Sequence, residues 1–198
     1  MTSVFKNYFQ KKSKFGLAID ILIGIMIIFL IIPATRKDMA ALILKPTLFI
    51  HQPKLIKERV AINPATYNWR LMQMDGTKIE LNQFKDKVLF INFWATWCPP
   101  CIAEIPQLQK LYESYGDKAV FLFVSNEELP LVEQFIKSKE FTLPVYIPIT
   151  QYPTDFDTNS LPTTFIVSKK GELVLAKYGV AQWNSKRIHK ILDKLVEE

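Results

Sequence analysis

The only two cysteines of the chain, Cys98 and Cys101, lie two residues apart within the stretch FWATWCPPC (93–101). The residues before them, KVLFINFW (87–94), form a nearly continuous apolar run, which is the pattern of a strand buried on both faces. Apolar residues at helical spacing follow the pair. The cysteines are therefore expected at a junction between a buried strand and a helix, as a structural disulfide, part of a metal site or a redox centre.

Spacing and composition favour the redox centre. A disulfide that closes a loop over two intervening residues removes little chain entropy and so adds little stability. A metal site needs three or four ligands, whereas the two histidines, His51 and His189, are scattered in the sequence. A C-x-x-C pair beside a strand–helix–strand pattern is typical of a redox site. Neither a metal ion nor a bound cofactor is expected.

The start of the helix predicts different roles for the two sulfurs. Cys98 would meet unpaired backbone N–H groups and the positive end of the helix dipole, which favour a thiolate over a thiol. Cys98 would then be the attacking group, and Cys101, one turn further on and more buried, would resolve the mixed disulfide. Pro99 and Pro100 suit the first helical turn, because no intrahelical N–H bond is lost there.

The order of predicted elements from about residue 67 indicates an α/β sandwich. WRLMQMDGTKIEL (69–81) predicts a β-hairpin around Asp75-Gly76. The helix after the cysteines should kink at Pro106 and end at Gly116. Further strands are expected at 119–125, 143–148, 161–168 and 172–179, and further helices near 131–139 and from about 184. The result would be a mixed sheet with a parallel centre, an antiparallel edge and helices on both faces.

An apolar run near the N-terminus predicts a membrane segment. Residues 15–32 contain a single charged residue, Asp20, and their number is near the lower limit for a spanning helix. An uncleaved anchor is favoured over a cleaved signal peptide, because the run is long for a signal sequence and no A-x-A site follows. The lysines before it predict that the tail lies inside and the bulk of the chain outside the membrane.

The membrane segment and the α/β pattern divide the chain into four predicted parts. They are a tail (1–14), a transmembrane anchor (15–33), a juxtamembrane stalk (34–66) and an α/β domain (67–198). Within the stalk, MAALILKPTLFI (39–50) could be a helix lying on the membrane or an arm that packs on the domain. The net charge of +6 comes in part from the lysines of the tail, so no nucleic-acid partner is expected.

FWATWCPPC followed by LPTTF (161–165) resembles the thioredoxin superfamily, and more narrowly the membrane-anchored TlpA- and ResA-like thiol–disulfide reductases of bacterial envelopes. The resemblance covers roughly residues 67–198. It implies a thioredoxin-like sandwich after one transmembrane helix. It also implies a cis peptide bond before Pro162, which would bring this turn against the cysteine pair. The backbone of Leu161 would then be free to pair with an extended substrate.

One acidic residue separates the subfamilies. Ordinary thioredoxins have a buried aspartate six residues before the first cysteine, where this chain has Asn92, which cannot titrate. The TlpA- and ResA-like proteins instead have a glutamate three residues after the second cysteine, and Glu104 stands there. The resemblance implies a buried Glu104 near Cys101 that passes a proton to or from a cysteine. A carboxylate that faces solvent is the alternative.

The aromatic residues divide between site and core. Trp94 and Trp97 are expected to line the site, where Trp97 would shield the sulfurs, and core packing is the favoured role of Trp94. Tyr178 and Trp183 are expected in the core. The full set of expected substrate-binding residues is Trp97, Pro99, Pro100, Leu161 and Pro162.

The leading hypothesis is a membrane-anchored thiol–disulfide oxidoreductase that reduces disulfides of envelope proteins through Cys98 and Cys101, with Glu104 as the third catalytic residue. Its partners would be disulfide-containing envelope proteins, a transmembrane thiol relay that restores the dithiol, and the lipid bilayer around residues 15–33. The resemblance suggests cytochrome c maturation as a client pathway. It also implies a single-pass protein of the bacterial inner membrane with the catalytic domain on the extracytoplasmic side.

Three other functions stay open. An oxidase or isomerase would use the same residues in the other direction, although the strongly oxidising enzymes carry a histidine between the cysteines, where this chain has Pro99 and Pro100. A peroxidase of the related redoxin branch would not need a C-x-x-C pair. A non-catalytic, membrane-tethered binding module would keep the fold without needing Cys98.

Overall fold

The computed structural model describes residues 13–48 and 52–198. Most of the predicted tail and His51 lie outside these residues. The α-helices of the described part are Lys14–Ile31 (α1), Pro33–Leu48 (α2), Pro99–Tyr115 (α3), Leu129–Lys139 (α4) and Lys186–Glu197 (α5). The strands are Val60–Ala61 (β1), Arg70–Gln73 (β2), Lys78–Glu80 (β3), Leu89–Phe93 (β4), Val120–Val124 (β5), Val145–Pro148 (β6), Thr163–Val167 (β7) and Glu172–Tyr178 (β8).

These strands form one sheet in the order β1-β8-β7-β4-β5-β6-β2-β3. The central strands β4, β5 and β6 run parallel, and the strands on either side of them pair antiparallel. The hairpin β2–β3 turns at Asp75-Gly76, where Gly76 has a φ of +84°, a conformation that glycine adopts without steric cost. The predicted mixed sheet with a parallel centre and the predicted hairpin are thus confirmed.

The strand before the cysteines is buried on both faces, as its apolar run predicts. Phe90 packs into one core with residues of α3, α4 and α5, among them Leu108, Ile136 and Leu192. Leu89, Ile91 and Phe93 point to the opposite face and pack into a second core. The sheet is therefore enclosed by two hydrophobic layers, and β4 lies in the middle of both.

The prediction that helices cover both faces of the sheet is wrong, because the α-helices that pack on the sheet lie on one face. The second core takes its side chains from the strands, the hairpin and the short 3-10 turns, with Trp69, Leu81 and Phe156 among them. The connections β4–α3–β5 and β5–α4–β6 both cross between parallel strands and move in the same direction across the sheet. Since such crossovers are right-handed, both helices fall on the same face.

The segment before residue 67 takes part in the fold. Strand β1 pairs antiparallel with β8, at Val60 opposite Leu173, and the sequence patterns did not predict it. Helix α2 packs on α3, with Ala41 buried against Ile102 and Ala103. Of the two interpretations left open for this part of the chain, the arm that packs on the domain agrees with the structure.

Helix α1 covers residues 15–31 of the predicted membrane segment. Most of the apolar side chains of α1 that the structure describes are exposed, with Phe15, Leu22 and Ile31 the most open. Within the described ranges, no helix meets the combined requirement of length and apolar character for crossing a membrane.

Candidate active site

Cys98 and Cys101 form a disulfide at the N-terminal end of α3. Cys98 is the N-cap residue, and its Sγ accepts a hydrogen bond of 3.2 Å from the backbone N–H of Cys101. Pro99 and Pro100 occupy the first two helical positions, as predicted. Both cysteines are buried. The helix start therefore directs an N–H donor at the Cys98 sulfur, an arrangement that stabilises a thiolate once the disulfide is reduced.

A carboxylate holds the turn that leads into Cys98, and sequence analysis did not find it. Glu127 accepts hydrogen bonds from the backbone N–H and the hydroxyl of Thr96, at 2.6 and 2.7 Å. It also accepts one from the hydroxyl of Ser125 at the end of β5, at 3.1 Å. The residues between β4 and α3 are thereby tied to the neighbouring strand. The local sequence carries no signal for this contact, because the partners lie 31 residues apart.

An open cavity of about 260 Å³ lies beside this turn. Trp94, Trp97 and Leu161 are among the residues that line it. The peptide bond between Leu161 and Pro162 is cis, as the resemblance implied. In residues 13–48 and 52–198, no hydrogen bond uses the backbone N–H or C=O of Leu161. The cavity thus brings together an exposed indole, with Trp97 60% exposed, and an unpaired backbone segment.

Glu104 lies on α3 one turn after Cys101, and it is only 1% exposed. Its Oε2 accepts hydrogen bonds from the Trp183 Nε1–H (3.0 Å) and from the backbone N–H of Ala181 (3.3 Å). Its Oε1 accepts one from Asn92 Nδ2 at 3.2 Å. The alternative of a solvent-facing carboxylate is therefore excluded. Asn92, which replaces the aspartate of ordinary thioredoxins, instead binds the glutamate.

Burial raises the pKa of Glu104 to about 8 from its ordinary 4.5. The hydrogen bonds from Trp183, Ala181 and Asn92 and the charge of Lys177 lower this pKa, but they only partly offset the loss of hydration. The carboxyl is therefore mostly protonated at neutral pH. A group with such a pKa can both release and accept a proton near neutrality.

Two of the aromatic residues expected in the core have other positions or contacts. Tyr178 is 54% exposed, so its assignment to the core is wrong. It is the last residue of β8, where the strand runs out into solvent. Trp183 is fully buried, as expected, but it also donates to Glu104. Trp94 is buried as well, and in the described part of the chain its Nε1–H has no hydrogen-bond partner.

A family model for redoxins matches residues 61–193 of the chain. The chain belongs to the redoxin family. This redoxin is 35% identical over 121 residues to the thiol-disulfide oxidoreductase ResA of a Bacillus cereus strain, across 60% of this chain and 70% of that protein. It is 33% identical over 121 residues to ResA of Bacillus subtilis, across 60% of this chain and 68% of that protein.

The solved structure of a thiol:disulfide interchange protein DsbE from Chlorobium tepidum has the same fold as this redoxin. The TM-score is 0.59 at 19% identity, and the match covers 70% of this redoxin and 98% of that chain. Together these matches confirm the resemblance to the ResA-like group of the thioredoxin superfamily. The redoxin is an enzyme of the thioredoxin-like thiol–disulfide oxidoreductase class.

Proposed function

We propose that this redoxin reduces disulfide bonds of extracytoplasmic proteins by dithiol–disulfide exchange at Cys98 and Cys101. The observation that carries the proposal is the position of the Cys98 sulfur at the start of α3, where it accepts the Cys101 N–H beside an open cavity. In the reduced enzyme, the Cys98 thiolate attacks one sulfur of the client disulfide. That bond breaks, a mixed disulfide forms, and one client thiolate leaves.

Cys101 completes the exchange. Its thiolate attacks the Cys98 sulfur, the mixed disulfide breaks, and the second client thiolate leaves. The client gains two electrons and two protons, and the enzyme ends with the disulfide seen between Cys98 and Cys101. A thiol reductant must then return two electrons to the enzyme. We assign this role to a transmembrane thiol relay.

Glu104 would exchange a proton with Cys101 in this cycle. Its pKa of about 8 means that it holds a proton at neutral pH and can release one with little cost. The spacing of three residues on one helix gives the two side chains the same face of α3. When the disulfide is reduced, protonated Glu104 would give its proton to the Cys101 thiolate that leaves. The carboxylate so formed would take the proton back when Cys101 attacks the mixed disulfide.

The cavity would bind the client chain next to the cysteines. The unpaired backbone of Leu161, before the cis bond to Pro162, offers one N–H and one C=O to an extended strand, which is how peptides are added to exposed backbone edges. Trp97 would cover an apolar client side chain. Pro99 and Pro100 would limit the approach from the helix side. An extended segment around a client disulfide fits this surface.

Two measurements test the proposal. In a Cys101→Ser variant, a mixed disulfide with a client peptide is expected to accumulate on Cys98, and a Cys98→Ser variant should form none. A Cys98→Ser variant that keeps full function would instead support the non-catalytic binding module. The reduction potential, equilibrated against thiol buffers, should lie well below about −200 mV for a reductase, whereas a value near about −120 mV would support an oxidase.

The proposed location is the outer side of a bacterial inner membrane, with residues 15–33 as the attachment, 34–66 as the connecting segment and 67–198 as the catalytic domain. The exposed apolar side chains of α1 and the lysines before it support attachment to a membrane. The pathway implied by the ResA-like group is cytochrome c maturation. Retention of the full chain in membranes washed with alkaline carbonate would support the attachment, and release by this wash would contradict it.

A further inference from the structure

Helix α2 covers one flank of the redox helix. Ala41, only 4% exposed, packs with Ile102 and Ala103 in a small buried cluster, and Leu44 and Phe135 close its edges. Ile102 and Ala103 are the two residues that directly follow Cys101 in α3. The arm thus contacts the redox helix within one turn of the disulfide.

An ion pair sets the position of α2 along the domain. Both carboxylate oxygens of Asp38 lie 2.8 Å from Nζ of Lys139, the last residue of α4. The pair is partly exposed, so its contribution to stability is small. The ion pair fixes the position of α2, because it joins α2 to the end of α4 while Ala41 packs on α3. The arm therefore has two attachment points on two different helices.

The Ala41 cluster also contacts a residue that lines the cavity beside the redox turn. The ring of Phe135, at the edge of the Ala41 cluster, lies 5.7 Å from the ring of Trp94. Trp94 lines the cavity beside the redox turn. The site therefore has a closed flank, formed by α2 on α3 and α4, and an open flank, formed by the cavity with Trp97 and Leu161.

Helix α2 is also an addition to the family domain, because the redoxin match begins at residue 61. A redoxin domain without α2 would expose Ile102, Ala103 and Phe135 beside the cysteines. Such a patch would give a large substrate an apolar surface next to the disulfide.

We propose that α2 is a specificity element that closes the α3–α4 flank of the redox site to folded proteins and leaves only the cavity side open to extended client segments. This inference rests on the proposed exchange at Cys98 and Cys101. It adds that the substrate class is set by the docked arm: unfolded chains and small disulfides reach the sulfurs, and bulky folded disulfide proteins reach them poorly.

The test undocks α2 in the full chain, held in detergent micelles. Ala41→Asp places a carboxylate in the buried cluster and should release the arm. Leu42→Asp is the matched control, because Leu42 is the next residue and is 54% exposed. Hydrogen exchange of the amides of residues 38–45 reports the docking. The rate at which the pre-reduced enzyme is oxidised is measured with native insulin as the bulky disulfide and with glutathione disulfide as the small one.

For Ala41→Asp, we expect a several-fold rise in the insulin rate and faster exchange of the α2 amides. For Leu42→Asp, we expect no such rise. The rate with glutathione disulfide should be unchanged in both variants. An unchanged ratio of the two rates in an undocked variant would overturn the inference. So would α2 amides that already exchange freely in the native protein. Absence of activity on both substrates in the native protein would contradict the proposed function itself.

A charge exchange gives an independent check should Ala41→Asp fail to fold. Asp38→Lys and Lys139→Asp each break the ion pair and should raise the insulin rate, and the double exchange should restore the native ratio. Lys137→Asp is the control on the same helix, because Lys137 pairs with Glu133 rather than with α2. A double exchange that behaves like the sum of its single variants would contradict the docking.

Discussion

Replacing Glu104 by glutamine (E104Q) is expected to change the pH dependence of folding. The pKa of this buried carboxyl is raised from 4.5 to about 8 in the folded protein. A group with a raised folded pKa stabilises the fold fully below its unfolded pKa, and this contribution is lost as the pH rises through the folded pKa. The free energy of unfolding of the native protein should therefore fall between about pH 4.5 and pH 8 because of Glu104.

The size of the effect follows from the shift. One pKa unit corresponds to about 1.4 kcal/mol. Relative to acidic pH, the native fold should therefore lose about 3 kcal/mol at pH 7, where ionisation of Glu104 favours the unfolded chain, and about 5 kcal/mol well above pH 8, where Glu104 is ionised in the fold as well. Glutamine avoids this cost because it stays neutral. Its oxygen can still accept from Trp183, but its NH₂ group meets the Nδ2 donor of Asn92, which costs about 1 kcal/mol.

The E104Q variant should therefore be more stable than the native protein by about 2 kcal/mol at pH 7, and less stable by about 1 kcal/mol at pH 4.5. Urea denaturation of the oxidised proteins at several pH values measures both differences. Glu113→Gln is the matched control, because Glu113 is exposed on the same helix. A stability difference between E104Q and the native protein that does not vary with pH would refute the reasoning.

Three further outcomes are expected. Trp183→Phe removes the donor to Glu104 Oε2, so the pKa of Glu104 should rise further and the protein should lose about 2 kcal/mol, more at pH 8 than at pH 5, in urea denaturation. Trp97→Ala should change the free energy of unfolding by less than about 0.5 kcal/mol, because the side chain is mostly exposed, while kcat/KM for a disulfide-containing peptide falls; an unchanged kcat/KM would contradict a role in binding. Leu108→Ala should cost about 3 kcal/mol, because Leu108 is fully buried in the core under α3.

Whether a structural feature could be predicted from the sequence depends on how far apart its interacting residues lie in the chain. The buried strand β4, the hairpin at Asp75-Gly76 and the helix start at Cys98 could all be predicted, since each is encoded in a few neighbouring residues. The burial of Glu104 could be inferred only by resemblance, because its position on an isolated helix does not show which face is covered.

Long-range contacts were the part that sequence patterns missed. The partners of Glu104 at Ala181 and Trp183 are 77 and 79 residues away, and Glu127 reaches back 31 residues to Thr96. The side of the sheet on which α3 and α4 lie follows from the order of the strands, which the sequence does not state. The docking of α2 depends on the burial of Ala41 and on an ion pair between Asp38 and Lys139, 101 residues apart, and no periodicity predicts either contact.

The sequence by itself indicated a thiol–disulfide redox site in this redoxin, because two cysteines separated by two prolines after a buried strand are typical of such a site and need only local structure to be recognised. The tertiary structure alone decided the surroundings of the redox pair. Glu104 acquires its raised pKa from burial, and helix α2, which lies outside the family match, packs on the redox helix. Both properties arise from desolvation and packing between distant segments, and these exist only once the chain has folded.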